Sequence, residues 1–211
     1  MCFKTKGLYK CGKCPECLAE RQNSWSLRLI EYARHNSCFS ALLTYDPKFV
    51  PIKGGLMSLR KSDVQKFLKR LRHEFPESKI KYYIGAEYSP EKFRPHYHCL
   101  FFGFPPDLSK TKVRKKIKKA WGLGIIGSQS DWLRSNAQIN YALGYFIYLY
   151  DWKKDDIREK PFSMISKGLA LDWIGDEDND PLSERLNYQT FFNNDIIYDK
   201  DSKRFGCVPK A

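Results

Sequence analysis

Two apolar, strand-like runs joined by a short connection constrain this chain more than any other feature. Ile80-Lys-Tyr-Tyr-Ile-Gly-Ala-Glu87 is followed, beyond a connection containing Ser89-Pro90, by Arg94-Pro-His-Tyr-His-Cys-Leu-Phe-Phe-Gly103. Pro95 opens the second run, and Gly103 closes it before Pro105-Pro106. So short a link predicts antiparallel neighbours. Strand side chains alternate between faces, so His96 and His98 share one face and both imidazoles can reach one metal ion. Pairing would bring Glu87 close to both. Two imidazoles and a carboxylate leave coordination positions open for water or substrate oxygens, and with a phosphate substrate the expected ion is Mg²⁺ or Mn²⁺. A Zn²⁺ hydrolase with the same ligands is the alternative. The plain reading is two polar residues on a solvated sheet face.

A second pattern lies in the segment 135–152, which reads as a helix. Ser135 and Gln138 have the spacing of a capping box, and largely apolar residues follow. Tyr141 and Tyr145 are four residues apart and thus stand one turn apart on one helix face, with Tyr148 continuing it. Such a stripe offers phenols to a site or packs as half-buried core.

Lys and Arg number 37 against 24 Asp and Glu, a formal net charge of +13, which favours a polyanionic partner. The densest basic stretch is Lys110-Thr-Lys-Val-Arg-Lys-Lys-Ile-Lys-Lys119, in which Lys110, Lys112, Arg114, Lys115, Lys116, Lys118 and Lys119 have no acid among them. Val113, Ile117, Ala120 and Trp121 fall at helical spacing, predicting an amphipathic helix with outward cations for a DNA backbone. A second basic helix is expected over 62–73, started by a Ser62/Gln65 capping box and buried through Val64, Phe67, Leu68 and Leu71. Some of the many aromatic rings, 15% of residues, suit stacking on unpaired bases.

Cysteine usage carries a separate message. Cys11, Cys14 and Cys17 are spaced by two residues each, with Cys2 upstream to complete a four-thiolate set. No secretory signal is visible, so a reducing, cytoplasmic setting is expected and zinc is preferred to disulfides. An Fe–S cluster or plain reduced thiols are the alternatives. Cys38, Cys99 and Cys207 read as small hydrophobes. The acidic turn Gly175-Asp-Glu-Asp-Asn-Asp-Pro181 lacks EF-hand ligand spacing and reads as a solvated loop.

A length of 211 residues and 42% hydrophobic content fit one domain with a sizeable core, and no run approaches membrane-spanning length. Further elements are expected as a helix over 18–34 and strands over 39–44 and 125–128. Helices interspersed with strands around a central hairpin argue an α+β fold. The expected division is a cysteine-bearing segment and helix over 1–36, a core over 37–160, and a carboxy-terminal extension over 161–211, packed on the core or trailing from it. No P-loop or dinucleotide fingerprint occurs, so helicase or ATPase work would fall to another protein.

Taken together, these motifs resemble the HUH endonuclease superfamily, and within it the replication initiation proteins of gokushovirus-type microviruses, which are single-stranded DNA phages. Cys11-Gly-Lys-Cys14-Pro-Glu-Cys17 with Arg21 and Trp25 resembles their amino-terminal cysteine motif, and Thr44-Tyr-Asp46 after Phe39-Ser-Ala-Leu-Leu43 their first strand motif. Gly85-Ala-Glu-Tyr88 and Arg94-Pro-His-Tyr-His98 resemble the metal-site motifs, while Phe162-Ser-Met-Ile-Ser166 and Asp172-Trp173 resemble a segment that follows the tyrosine helix. The resemblance implies a ferredoxin-like antiparallel sheet with flanking helices, the tyrosine helix lying alongside the metal. It also implies a magnesium- or manganese-dependent endonuclease that nicks single-stranded origin DNA, forms a 5′-phosphotyrosine and rejoins the strand in rolling-circle replication.

By the same resemblance, Tyr141 and Tyr145 are the nucleophiles, His96, His98 and Glu87 the metal ligands, and a host helicase and polymerase the partners. Gly144 and Tyr148 depart from the family pattern, standing where lysines often flank the second tyrosine, so another cation such as Lys153 or Lys154 would have to substitute. The competing readings are a transposase or plasmid relaxase of the same superfamily, and a non-enzymatic zinc-dependent nucleic-acid-binding protein.

Overall fold

The computed structural model describes residues 10–144, 152–153 and 155–170, together with the backbone of 197–199 and 204–206. Helix α1 spans Pro15–His35 and leads into strand β1, Cys38–Tyr45. A small hairpin, β2 (Ile52–Lys53) and β3 (Leu56–Met57), precedes helix α2, Lys61–Glu74. Then come β4 (Lys81–Tyr88), β5 (Pro95–Phe102), helix α3 (Lys110–Trp121), β6 (Gly124–Ile126), β7 (Asp131–Trp132), helix α4 (Asn136–Leu143) and β8 (Phe162–Ile165). Strands β9 (Ile197–Asp199) and β10 (Arg204–Gly206) pair with each other.

The main sheet has six antiparallel strands in the order β6-β1-β5-β4-β8, with β7 also paired to β1. This is the expected α+β fold. Alternation along the strands divides the core in two. Phe39, Leu43, Tyr45, Ile84, Tyr97 and Phe101 pack on one face against α2 and α3. Cys38, Tyr83, Leu100 and Phe102 pack on the other against α1 and α4. Burial on both faces explains why β5 reads as a continuous apolar run.

Trp121 holds the first of these cores together. It is fully buried, donates its indole N–H to the Thr44 carbonyl at 3.0 Å, and meets the rings of Tyr45, Phe67 and Tyr97. Trp121→Ala is therefore expected to cost about 3–5 kcal/mol of stability, read from the urea midpoint.

Several boundaries differ from expectation. Helix α1 starts at Pro15, ahead of 18, because proline lacks only an N–H that the first turn leaves unpaired. The Ser62/Gln65 capping box does not form: the N-cap is Arg60, with no side-chain cap of its own. Tertiary partners replace it, since the Arg60 N–H donates to the Tyr97 hydroxyl at 3.1 Å and the Lys61 N–H to the Glu159 carboxylate at 3.2 Å. Strand β6 sits one residue earlier than expected and ends at Ile126. A Cβ at Gly124 would lie 2.2 Å from the Thr44 carbonyl oxygen, so only glycine fits there.

The helix expected over 135–152 is described as α4 and the turn at Gly144. Tyr145, Tyr148 and Lys154 lie outside the described residues, as do Asp172, Trp173, the acidic turn, Cys2 and Cys207. Trp152 is not helical; its ring stacks on Tyr88 at 5.3 Å and 14°. The segment beginning at 161 contributes β8, which pairs with β4 and so joins the main sheet.

Candidate metal centre and tyrosine helix

The register of β4 and β5 places Glu87 opposite His96 and Gly85 opposite His98. The three side chains converge on the sheet face shared with α1 and α4. Glu87 Oε1 lies 3.1 Å from His96 Nε2 and 2.7 Å from His98 Nε2. All three groups are largely shielded, with side-chain exposures of 13%, 13% and 5% for Glu87, His96 and His98. Burial acts to raise the Glu87 pKa, but hydrogen bonds and charge from the two imidazoles outweigh it and lower the group to about 2. Glu87 is therefore a carboxylate at neutral pH.

The donor set fits a cation. His96 Nδ1 lies 3.1 Å from the Arg94 carbonyl, which can only accept. A neutral His96 donating there turns its Nε2 lone pair toward Glu87 Oε1, and two acceptors at that distance are stable only with a proton or metal ion between them. Holding the second ring nitrogen on a backbone carbonyl is the usual way a metal-ligating histidine is oriented. Arg94 supports this arrangement. Its carbonyl accepts from the Ser89 N–H at 2.9 Å, and its guanidinium donates to the Tyr45 carbonyl, tying the hairpin tip to the end of β1. Sequence reading took Arg94 only as part of a motif, because both contacts depend on strand pairing.

Helix α4 carries Tyr141 to the same place. Gln138 accepts from the N–H groups of Arg134 at 2.8 Å and Ser135 at 3.3 Å, completing the expected capping box. Ile139, Ala142 and Leu143 are buried on the sheet, and Asn140 bonds to Ser26 of α1. This turns Tyr141 outward, with 65% of its surface exposed, yet its ring stands edge-on to His98 with centroids 4.8 Å apart at 89°. The metal-capable strand and one tyrosine of the pair therefore meet.

The family model for replication-associated proteins of the ORF2 type matches residues 38–148, which run from β1 past α4 and include Glu87, His96, His98, Tyr141 and Tyr145. The chain belongs to this replication-associated protein family. It is similar to replication-associated protein ORF2 of Spiroplasma virus 4, with 27% identity over 220 residues covering 95% of this chain. It is also similar to replication-associated protein ORF4 of Chlamydia phage 1, with 30% identity over 134 residues covering 55% of this chain. The aligned regions span 65% and 33% of those relatives' lengths. No solved structure matches.

The lysine-rich helix α3 lies within the family match but on the opposite sheet face from Glu87, His96 and His98. Its apolar stripe of Val113, Ile117, Ala120 and Trp121 is buried as expected, but its cations are not all turned to solvent. Lys110 pairs with Asp131 at 2.8 Å, and Lys119 with Glu74 at 2.7 Å. Arg114 donates to the carbonyls of Gly127 at 2.8 Å and Ser130 at 2.9 Å, and Lys116 donates to the Glu74 carbonyl. Among the described residues, Lys112, Lys115 and Lys118 are exposed and have no ion-pair partner. The expectation of seven uncompensated cations is thus corrected to three, because loop carbonyls and acids remote in sequence fold back onto the others.

The cysteine cluster precedes the family match. Cys11, Cys14 and Cys17 come together at the start of α1 with all three sulfurs within 4.8 Å of one another, whereas Cys38 and Cys99 are buried separately in the core. No described helix is long and apolar enough to cross a membrane.

Proposed function

We propose that this protein is a replication initiator that cleaves single-stranded origin DNA by tyrosine attack at the Glu87–His96–His98 site. The observation that carries the reading is the Tyr141 ring standing edge-on to His98, whose Nε2 faces Glu87. Mg²⁺ or Mn²⁺ bound by these three residues would polarise the scissile phosphate and favour the phenolate of a group whose ordinary pKa is about 10.

The chain's own residues set up the rest. Exposure of Tyr141 leaves its hydroxyl open to a strand entering from solvent, while packing of Ile139 and Leu143 holds the helix in place. In the cleavage step the tyrosine oxygen forms a bond to phosphorus, the phenol proton is lost, and the phosphorus–O3′ bond breaks. The departing oxygen takes a proton and becomes a free 3′-hydroxyl. The phosphodiester energy stays in the 5′-phosphotyrosine, so rejoining needs no ATP. Tyr145, one turn on, is the candidate for a second cleavage.

The test is incubation of the full chain and Mn²⁺ with single-stranded oligonucleotides tiling the replicon that encodes it. A covalent protein–DNA adduct at one cleavage position is expected. Binding without cleavage at any position would favour the non-enzymatic reading.

Lys112, Lys115 and Lys118 lie across the sheet from that site, so the DNA they hold is a segment other than the one being cleaved. Neutralising the three with glutamine is expected to lower the log–log salt slope of binding by about 2 for single strands, since each phosphate contact contributes about 0.7. Neutralising Lys116 and Lys119, which are engaged within the protein, should leave the slope nearly unchanged. Fluorescence anisotropy across a salt series checks both.

A further inference from the structure

The cysteine cluster has the geometry of a thiolate metal site that the cleavage reading does not use. Cys11 and Cys17 have their sulfurs 4.0 Å apart. Two thiolates at tetrahedral zinc, each with a bond of about 2.3 Å, stand about 3.8 Å apart, whereas a disulfide would need about 2.05 Å. The backbone is turned to suit: Gly12 adopts φ +69°, and the N–H groups of Lys13 and Cys14 point at the Cys11 sulfur at 3.4 and 3.3 Å. Two amide donors on one sulfur favour its charged, metal-binding form.

Cys14 is the N-cap residue of α1 and Cys17 lies in its first turn, so the helix start itself sets the spacing of these two sulfurs. Cys14 and Cys17 are 2% and 7% exposed, and their small cluster is separate from both cores. Three polarisable groups are thus gathered with little apolar surface to explain their burial.

We propose that Cys11, Cys14 and Cys17 bind a zinc ion as thiolates, and that this ion fastens the start of α1. That helix lies with α4 on the sheet face of Glu87, His96 and His98, and Ser26 of α1 bonds to Asn140 of α4 beside Tyr141. The inference stands apart from the cleavage reading, because a zinc site here serves any use of that face.

The full chain, purified without chelator, is expected to contain about one zinc per molecule by elemental mass spectrometry. His96→Ala with His98→Ala should retain this zinc, and Cys14→Ser with Cys17→Ser should lose it. Loading the wild type with Co²⁺ in place of zinc should give a sulfur-to-cobalt charge-transfer band of the intensity of three thiolates. This readout does not depend on the cysteine variants folding. Wild-type protein with neither zinc nor that band overturns the proposal. So does zinc lost from the histidine variant but kept in the cysteine variant. Iron with equimolar acid-labile sulfide overturns it in favour of a cluster. Loss of DNA cleavage with zinc binding intact would count against the cleavage reading alone.

Discussion

Replacing His96 and His98 together with alanine is expected to reduce strand cleavage by about 10²–10³-fold or more while leaving most DNA binding in place. Both Nε2 atoms converge on one oxygen of Glu87, so the double variant keeps a single carboxylate ligand, too few to hold a divalent ion at working concentrations. Binding survives because phosphate contacts come from cations elsewhere, Lys112, Lys115 and Lys118 among them. Of the single variants, His98→Ala should lose more. Its nitrogen lies nearer Glu87, 2.7 against 3.1 Å, and its ring also supports Tyr141. Cleavage on a sequencing gel and anisotropy on the same oligonucleotide separate the two effects. Undiminished nicking by the double variant would remove the site from consideration.

Substituting phenylalanine at both Tyr141 and Tyr145 is expected to eliminate the covalent protein–DNA adduct without unfolding the protein. The substitution deletes only the two hydroxyl groups; at position 141 the ring and its edge contact with His98 remain. Either single variant should retain some cleavage if the two phenols can replace each other, and the helical spacing of four residues permits that. Nuclease digestion and mass spectrometry of the wild-type adduct would identify the attacking residue. Attachment at Tyr148 or Tyr150 would move the nucleophile along the chain. Cleavage by the wild type with no adduct would replace the tyrosine mechanism with attack by water.

Much of the site is legible in sequence because it depends on local periodicity. Strand alternation alone puts His96 and His98 on one face, and a short hairpin connection brings Glu87 beside them. The capping box at Ser135 and Gln138 likewise needs only four consecutive residues. The close spacing of Cys11, Cys14 and Cys17 let a three-sulfur cluster be anticipated from the same local evidence.

The errors arose where a group's partner lies far away in sequence. Ser62 has the right spacing for a cap, yet Tyr97 and Glu159 reach the helix end from 37 and 98 residues away, so α2 begins at Lys61. The lysine-rich segment has no acid within it, yet Asp131, Glu74 and the loop after β6 engage four of its seven cations.

Sequence by itself determined the α+β character, the hairpin with its three potential metal ligands, the buried stripes of α2 and α3, and the basic charge. Only the tertiary structure decided which sheet face each helix covers: α4 lies with the metal-capable residues, and α3 lies across from them. The physical reason is that periodicity says which side of an element is apolar, but both faces of this sheet are apolar. The pairing of a particular helix with a particular face emerges only from long-range packing, and that packing brings Tyr141 against His98.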